Sequence, residues 1–411
     1  MNPCIVYLAV ASTVGACAAH AGECGFDAVD LVRRARATLD GNVVGGVDAP
    51  WSPYRGCVPS APGWFHGVWN WDGAFHAMAL VRWDAELARD QYRIMMKFQG
   101  DDGMLPDVVH QDPAKGVFRG CTKPPVWAWC VWVLDRAAPD DAFLAEAYDS
   151  LKRYERFWAE RRRAGKDGLF HYDGNSEDPA LRKKYCGWES GWDDSPRWDG
   201  NPGALYAVDL NCYMVLFYRA MRDISARLGR MDEAERWGDA AAAVERMVEE
   251  RLWDERDGCY YDYDFERGCF SRVLTPASYM PLFIGSASKE RAASMARHAK
   301  RLEPGWPTVS YDHSAYVPTA YWRGRTWLNV AYFALKGLKF YGCDEIADAG
   351  RRTLLGWVDS HKGSIHENYN SRTGAPLGSP DFGWSCVFTI KFIDDWTMPR
   401  ELEMPTAVPG R

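Results

Sequence analysis

One short segment concentrates the groups that acid–base chemistry needs. Residues 188–199 read Trp188-Glu189-Ser190-Gly191-Trp192-Asp193-Asp194-Ser195-Pro196-Arg197-Trp198-Asp199, with four carboxylates, three indoles and one guanidinium in a dozen positions. A solvated acidic loop does not ordinarily carry three tryptophans. Indoles partly desolvate a neighbouring carboxyl and so raise its pKa, which turns an acid into a proton donor near neutral pH. The plainer alternative is a structural loop whose Asp and Ser residues cap a helix beginning near Pro202.

A second acidic site stands far along the chain, in His366-Glu367-Asn368-Tyr369-Asn370, ahead of Gly374 and Gly378-Ser379. Alone, a loop Glu is a surface residue. Paired with an acid of the first segment, Glu367 becomes the second carboxylate of a hydrolytic pair. Hydrolysis with inversion at a sugar carbon needs two carboxyls on opposite faces of the ring, ~6.5–9.5 Å apart, so that a water fits on one side.

Other segments offer recognition. Trp69, Trp71 and Asp72 supply stacking surface and a carboxylate for vicinal hydroxyls, and Tyr321, Trp322 and Arg323 repeat the theme. Lys123 precedes a double proline, and Trp384 opens an apolar stretch after the Glu367 loop. Flat aromatic faces stack on the apolar faces of sugars, although core packing or local ion pairs would explain each residue taken singly. The scattered His residues carry no catalytic pattern. Asp173-Gly174-Asn175-Ser176-Glu177 superficially resembles a calcium loop, but Lys184 stands where the closing Glu belongs. No metal and no cofactor is expected.

These residues must be positioned by helices. The stretches 140–163, 231–252, 289–302 and, less cleanly, 343–358 are amphipathic at helical spacing, whereas 126–134, 205–221, 327–340 and 384–393 are apolar nearly all round. A helix apolar on every side is buried on every side. Six buried helices, starting near Asp72, Pro124, Ala204, Pro276, Arg325 and Trp384, alternate with six amphipathic partners if 26–39 and 84–98 join the ring. The expected fold is all-α, an (α/α)6 barrel of two concentric layers. The chemistry-bearing loops lie before the inner helices and gather at one end.

The 411-residue chain carries a net charge of -7 and no basic stripe, which argues against a nucleic-acid partner. Residues 4–19 are apolar or small, and Ala19-His20-Ala21 fits a cleavage site, so 1–21 reads as an export signal and 22–411 as a single catalytic domain. A rival reading takes Val14-Gly15-Ala16-Cys17 as a lipoprotein box, with Cys17 lipidated. Either way the destination is extracytoplasmic, and no integral membrane segment follows. Among the cysteines, Cys259 and Cys269 form the best local disulfide candidate, flanking a hairpin-like polar-aromatic segment. Oligomeric state leaves no mark on the sequence.

At Trp69-Asn70-Trp71-Asp72-Gly73-Ala74-Phe75, Pro124-Pro125, residues 189–197, Tyr321-Trp322-Arg323-Gly324 and Glu367-Asn368-Tyr369 the chain resembles glycoside hydrolase family 63. Within that family it is similar to the mannosylglycerate/glucosylglycerate-hydrolase branch, and more distantly to the trehalases of family 37. The resemblance spans about 67–393. It implies that Asp193 is the general acid and Glu367 the general base, with sugar contacts from Trp71, Asp72, Tyr321, Trp322 and Gly324. Trp69, Lys123, Glu189, Trp192, Arg197, Arg323 and Trp384 complete the expected substrate-binding set. Relatives usually carry Gln where this chain has Lys123, and Pro-Ile where it has Arg325-Thr326. Both changes add positive charge and suggest an anionic aglycone such as glycerate, unless Lys123 pairs with a local acid.

The expected reaction is inverting, exo-acting hydrolysis of a terminal α-glucosyl or α-mannosyl unit from a small carbohydrate substrate. A non-catalytic sugar-binding protein on the same barrel and a trehalase-like disaccharide hydrolase are the alternatives. A terpene-cyclase toroid would need an Asp-rich metal motif that Asp193-Asp194 does not continue. A polysaccharide lyase on a similar barrel would need a Tyr or His base.

Overall fold

The computed structural model describes residues 25–407 except 46, 47, 166 and 175. The expected export segment, with its cleavage site and Cys17, lies outside the described residues. Fourteen α-helices are present among the described residues. They are α1 Ala28–Gly41, α2 Asn70–Leu80, α3 Ala85–Lys97, α4 Trp127–Ala137, α5 Asp141–Arg161, α6 Pro179–Ser190 and α7 Val208–Arg227. They continue as α8 Met231–Arg251, α9 Met280–Ile284, α10 Lys289–His298, α11 Leu328–Phe340, α12 Asp344–Ser360, α13 Gly383–Asp394 and α14 Arg400–Glu403.

Helices α2, α4, α7, α9, α11 and α13 form a closed inner ring in which each packs on the next and α13 returns to α2. Every residue of α2 is buried, and so are all of α13 but its last, because these helices have no face left for water. Helices α1, α3, α5, α8, α10 and α12 form the outer layer; α1 buries one stripe, Leu31, Ala35 and Leu39, whereas α3 is buried over most of its surface. The architecture is the (α/α)6 barrel.

Local chemistry sets the boundaries. Asp27, Asp84, Asp140 and Ser288 accept from N–H groups in the first turns of α1, α3, α5 and α10, satisfying donors that have no partner within the helix. The fourth inner element is shorter than expected: a 3-10 turn, Pro276–Tyr279, leads into α9, which Gly285 stops in the left-handed conformation at φ 80°. Before α7, Leu205–Tyr206 is a short strand paired with Tyr263–Asp264 rather than the start of the helix.

The expected disulfide is absent. Cys259 and Cys269 both carry free thiols. They belong to different hairpins: Cys259 pairs with Asp254, whereas Cys269 pairs with Asp264.

The end of the barrel facing away from the inner-helix N-termini is closed by the chain's last turns. Glu403 of α14 is fully enclosed, pairing with Lys391 at 3.1 Å and Lys336 at 3.4 Å and accepting from Tyr332. Lys336 also donates to the carbonyls of Asp395, Trp396 and Met398 at 2.7–2.9 Å.

Candidate active site

Segments at or just before the starts of α2, α4, α7, α11 and α13 meet in a narrow cleft with about 70 Å³ of space open to water. It is lined by Phe65, Trp69, Trp71, Asp72, Lys123, Gly191, Asp193, Tyr321, Trp322, Trp327, Glu367, Phe382 and Trp384. The walls are mostly aromatic. Trp322 stacks on Trp327 with ring centroids 4.0 Å apart and planes at 11°. Trp384 meets Trp71 edge-on at 5.1 Å and Trp327 at 5.4 Å. The indole Nε1 of Trp384 is buried and has no hydrogen-bond partner among the described residues.

Asp193 reaches the cleft because α6 stops abruptly. Gly191, at φ 74°, ends the helix, and a Cβ there would come within 2.3 Å of the Trp71 ring. The turn is fixed by Ser190 Oγ accepting from the Trp192 N–H at 3.0 Å and by the Trp192 carbonyl accepting from Trp198 Nε1 at 2.9 Å. Burial raises the Asp193 carboxyl above its ordinary value; Lys123 opposes the shift and Asp194 adds to it.

Glu367 sits at the base of a hairpin in which Asn368–Tyr369 pairs with Pro376–Leu377. Its Oε1 accepts from the Tyr321 hydroxyl at 2.5 Å and its Oε2 from the Ser379 N–H at 2.9 Å. The side chain of residue 378 must be absent for this, since a Cβ on Gly378 would lie 2.4 Å from Oε2. Burial raises the Glu367 carboxyl, while the bonds from Tyr321 and Ser379 and the charge of Arg325 pull it down. Two bonds between Thr326 and Tyr369, at 2.9 and 3.0 Å, tie the Tyr321 loop to this hairpin.

Asp72 lies in the first turn of α2, and its carboxyl is pushed up to about 8, chiefly by burial; Lys123 opposes and Asp107 reinforces the shift. Lys123 is 3.4 Å from Asp107 and donates to the Trp188 carbonyl. Its charge therefore meets a local acid, the pairing that sequence reasoning set against an anion-selecting role.

Nine of the residues singled out from sequence line this cleft: Trp69, Trp71, Asp72, Lys123, Asp193, Tyr321, Trp322, Glu367 and Trp384. Five do not. Glu189 is fully buried, with both oxygens bound by Arg162 at 2.7 and 2.8 Å. Arg197 is enclosed between Asp209 and Asp262 and braces the loop from behind. Trp192 backs Trp322 at 5.1 Å rather than facing the cleft. Arg323 forks onto Asp199, its Nη2 at 2.6 Å. Gly324 donates its N–H to Thr308 and leaves no room for a side chain, a Cβ falling 2.1 Å from the Val317 carbonyl. These five hold the loops that carry the lining residues. Sequence reasoning missed Phe65, Trp327, Phe382 and Asp107. Trp327 and Phe382 border helices already recognised as apolar, so only their position at the helix mouth distinguished them.

A ring of six inner helices with an aromatic, acid-lined cleft at their N-terminal ends is the frame of an (α/α)6-barrel glycoside hydrolase. Comparison with known proteins agrees. The profile of the mannosylglycerate hydrolase MGH1-like glycoside hydrolase domain matches residues 65–385. Mannosylglycerate hydrolase MGH1 of Selaginella moellendorffii is 27% identical over 408 residues, covering 81% of each chain. A periplasmic trehalase of Salmonella typhimurium is 30% identical over 225 residues, 50% of this chain and 39% of that one. The crystal structure of the family 63 mannosylglycerate hydrolase of Thermus thermophilus in complex with glucose superposes with a TM-score of 0.73 at 25% identity, covering 88% of this chain and 99% of that one. The chain belongs to the MGH1-like glycoside hydrolases of family 63.

Proposed function

We propose that the protein is an inverting, exo-acting α-glycosidase that removes a terminal α-glucosyl or α-mannosyl residue. The observation carrying this reading is that Asp193 and Glu367, from distant stretches of chain, line one aromatic cleft in unlike settings. Among the described residues none donates a hydrogen bond to Asp193 from another side chain or from a backbone N–H outside its own residue, and it is raised by burial, which favours the protonated form. Burial raises Glu367 too, but it receives two hydrogen bonds that favour the carboxylate and that Asp193 lacks.

In this mechanism the Asp193 carboxyl gives its proton to the glycosidic oxygen as the C1–O bond breaks. Glu367 takes a proton from a water attacking C1 from the opposite face. The water oxygen bonds to C1 with inverted configuration, and the two carboxyls exchange protonation states until solvent resets them. The buried floor of Trp71, Trp327 and Trp384 suits one terminal sugar ring, with the Trp384 N–H available to a hydroxyl. Asp72 is placed to grip vicinal hydroxyls. We further read 22–411 as one catalytic unit acting outside the cytoplasm after removal of residues 1–21.

The test is a panel of α-glucosides, α-mannosides and glycerate glycosides, with the anomer of the first-formed sugar read by NMR. Release of the β-anomer supports the reading. Release of the α-anomer means a retaining enzyme and overturns the inverting mechanism.

A further inference from the structure

Two cations bear on the acid-lined cleft, and they act on different acids. Lys123, before α4, lies 3.4 Å from Asp107 and opposes the burial that raises Asp193 and Asp72. Arg325, in the loop before α11, acts on Glu367: burial raises that carboxyl, and the charge of Arg325 is among the influences that pull it back. Arg325 is half-buried and stands outside the cleft lining, behind residues that belong to it.

The guanidinium centre of Arg325 lies 5.5 Å from the centroid of the Tyr321 ring, within reach of cation–π attraction. The hydroxyl of the same ring donates to Glu367 Oε1 at 2.5 Å. Arg325 Nη1 donates to Asn368 Oδ1 at 3.1 Å and Nε to the Thr319 carbonyl at 2.8 Å. One side chain thus joins the Tyr321 loop to the Glu367 hairpin, touching the phenol that binds the base and the amide that follows it in sequence.

Asn368 is fully buried. Arginine carries donors and no acceptor, so the amide must turn its oxygen to Arg325 and its NH2 away. That Nδ2 has no hydrogen-bond partner among the described residues. It borders the same gap over Gly378 as Glu367 Oε2, since a Cβ on Gly378 would fall 3.0 Å from one and 2.4 Å from the other. The orientation of an amide packed beside the base therefore follows from Arg325. The titratable groups coupled to Glu367 are Tyr321 and Arg325 from the loop before α11, Asp193 after α6 and Asp72 in α2. Of these four, Arg325 is the cation.

We propose that Arg325 is a positioning residue for Glu367, pinning Asn368 and lying against Tyr321 so that both neighbours of the base are locked by one side chain. Its charge also favours the ionised base during turnover. This rests on the reading of Glu367 as the base of a glycosidase and deepens it.

The experiment follows kcat and KM across pH for wild type, Arg325→Met and Arg325→Lys. The probes are methyl α-glucoside, methyl α-mannoside and 2-O-α-mannosyl-D-glycerate. In Arg325→Met the acid limb of kcat/KM is expected to move to higher pH, with efficiency on the acid side down roughly three- to tenfold. KM should stay within about twofold of wild type on every probe. The alkaline limb, set by Asp193, should stay in place, and Arg325→Lys should return the acid limb to its wild-type position. An unmoved acid limb, or a loss spread evenly over pH and not repaired by lysine, overturns the inference and leaves the glycosidase reading intact. A loss confined to KM for the mannosylglycerate also overturns it, by making Arg325 a contact of the substrate carboxylate. Should Arg325→Met fail to fold, Arg325→Gln removes the charge while keeping a donor for Asn368, and its acid limb is judged in the same way. If wild type turns over none of the probes, the glycosidase reading falls and this inference with it.

Discussion

The Tyr321 hydroxyl holds one oxygen of Glu367 at 2.5 Å while the Ser379 N–H holds the other at 2.9 Å. The proposed base is thus oriented at both ends before any water reaches it, and both bonds favour its charged form.

Removing the phenol tests that relationship. Tyr321→Phe deletes an interaction that lowers the Glu367 carboxyl, so its pKa rises further. A base must be ionised to work, and the acid limb of the kcat/KM profile should therefore move to higher pH, with roughly tenfold lower efficiency below neutrality. A pH profile that stays in place would show the bond to be catalytically idle.

The two acids should fail alike in rate and differ little in binding. Asp193→Asn and Glu367→Gln should each lower kcat about a thousandfold or more, with KM within a few fold of wild type. Single-turnover assays beside equilibrium binding would read both quantities. Retention of a tenth of the wild-type kcat by either variant rules that residue out of its role.

Lys123 acts on three carboxylates at once, Asp72, Asp107 and Asp193. Lys123→Gln removes the charge that lowers Asp193, so the alkaline limb of the rate profile should move up in pH. It also strips Asp107 of its cation, and Asp107 is already pushed up to about 6 by burial. The variant should lose about 1–3 kcal/mol of stability above pH 6, and adding Asp107→Asn should restore part of it. Denaturant titrations of both variants across pH would reveal an ornamental pair by showing no loss.

Asp72 makes stability itself depend on pH. Its native carboxyl is pushed up to about 8, against about 3.9 for an Asp in an unfolded chain. A group that binds its proton more tightly when folded gives its full contribution below about pH 4, and that contribution drains away as pH climbs toward 8. Asp72→Asn should therefore gain on wild type between pH 5 and pH 8, on the order of 1–3 kcal/mol by the upper end. Parallel stability curves for the two proteins would mean Asp72 is ionised throughout.

Gly378 protects the base by lacking a side chain. At φ 69°, with a Cβ falling 2.4 Å from Glu367 Oε2, Gly378→Ala must shift the hairpin or the carboxylate. A displacement near 1 Å should lower kcat about a hundredfold while the protein still folds. Wild-type turnover would show that the hairpin yields freely.

The barrel was legible in the sequence because burial on all sides of α2, α4, α7, α11 and α13 follows directly from their composition. The fourth inner helix was harder to bound, since Pro281 and Gly285 shorten it. The composition of residues 188–199 marked the site but not its orientation. α6 ends inside this stretch, so Glu189 turns to Arg162 while Asp193, past the Gly191 reversal, turns to the cleft. Spacing along a chain does not reveal which side of a reversal faces substrate. The same holds for Arg197, whose partners Asp209 and Asp262 lie on separate elements.

The inner ring closes where α13 meets α2, and α13 also packs on α1. Asn42 donates to the Asp381 carbonyl at 2.9 Å, and Arg34 pairs with Asp359 at 3.3 Å. The earliest of the described helices to leave the ribosome thus waits for α13 before its apolar stripe is covered. Glu403 meets its two lysines later still. Synthesis from the N-terminus must expose this stripe until α13 has been made, and the barrel depends on a seam between segments more than three hundred residues apart.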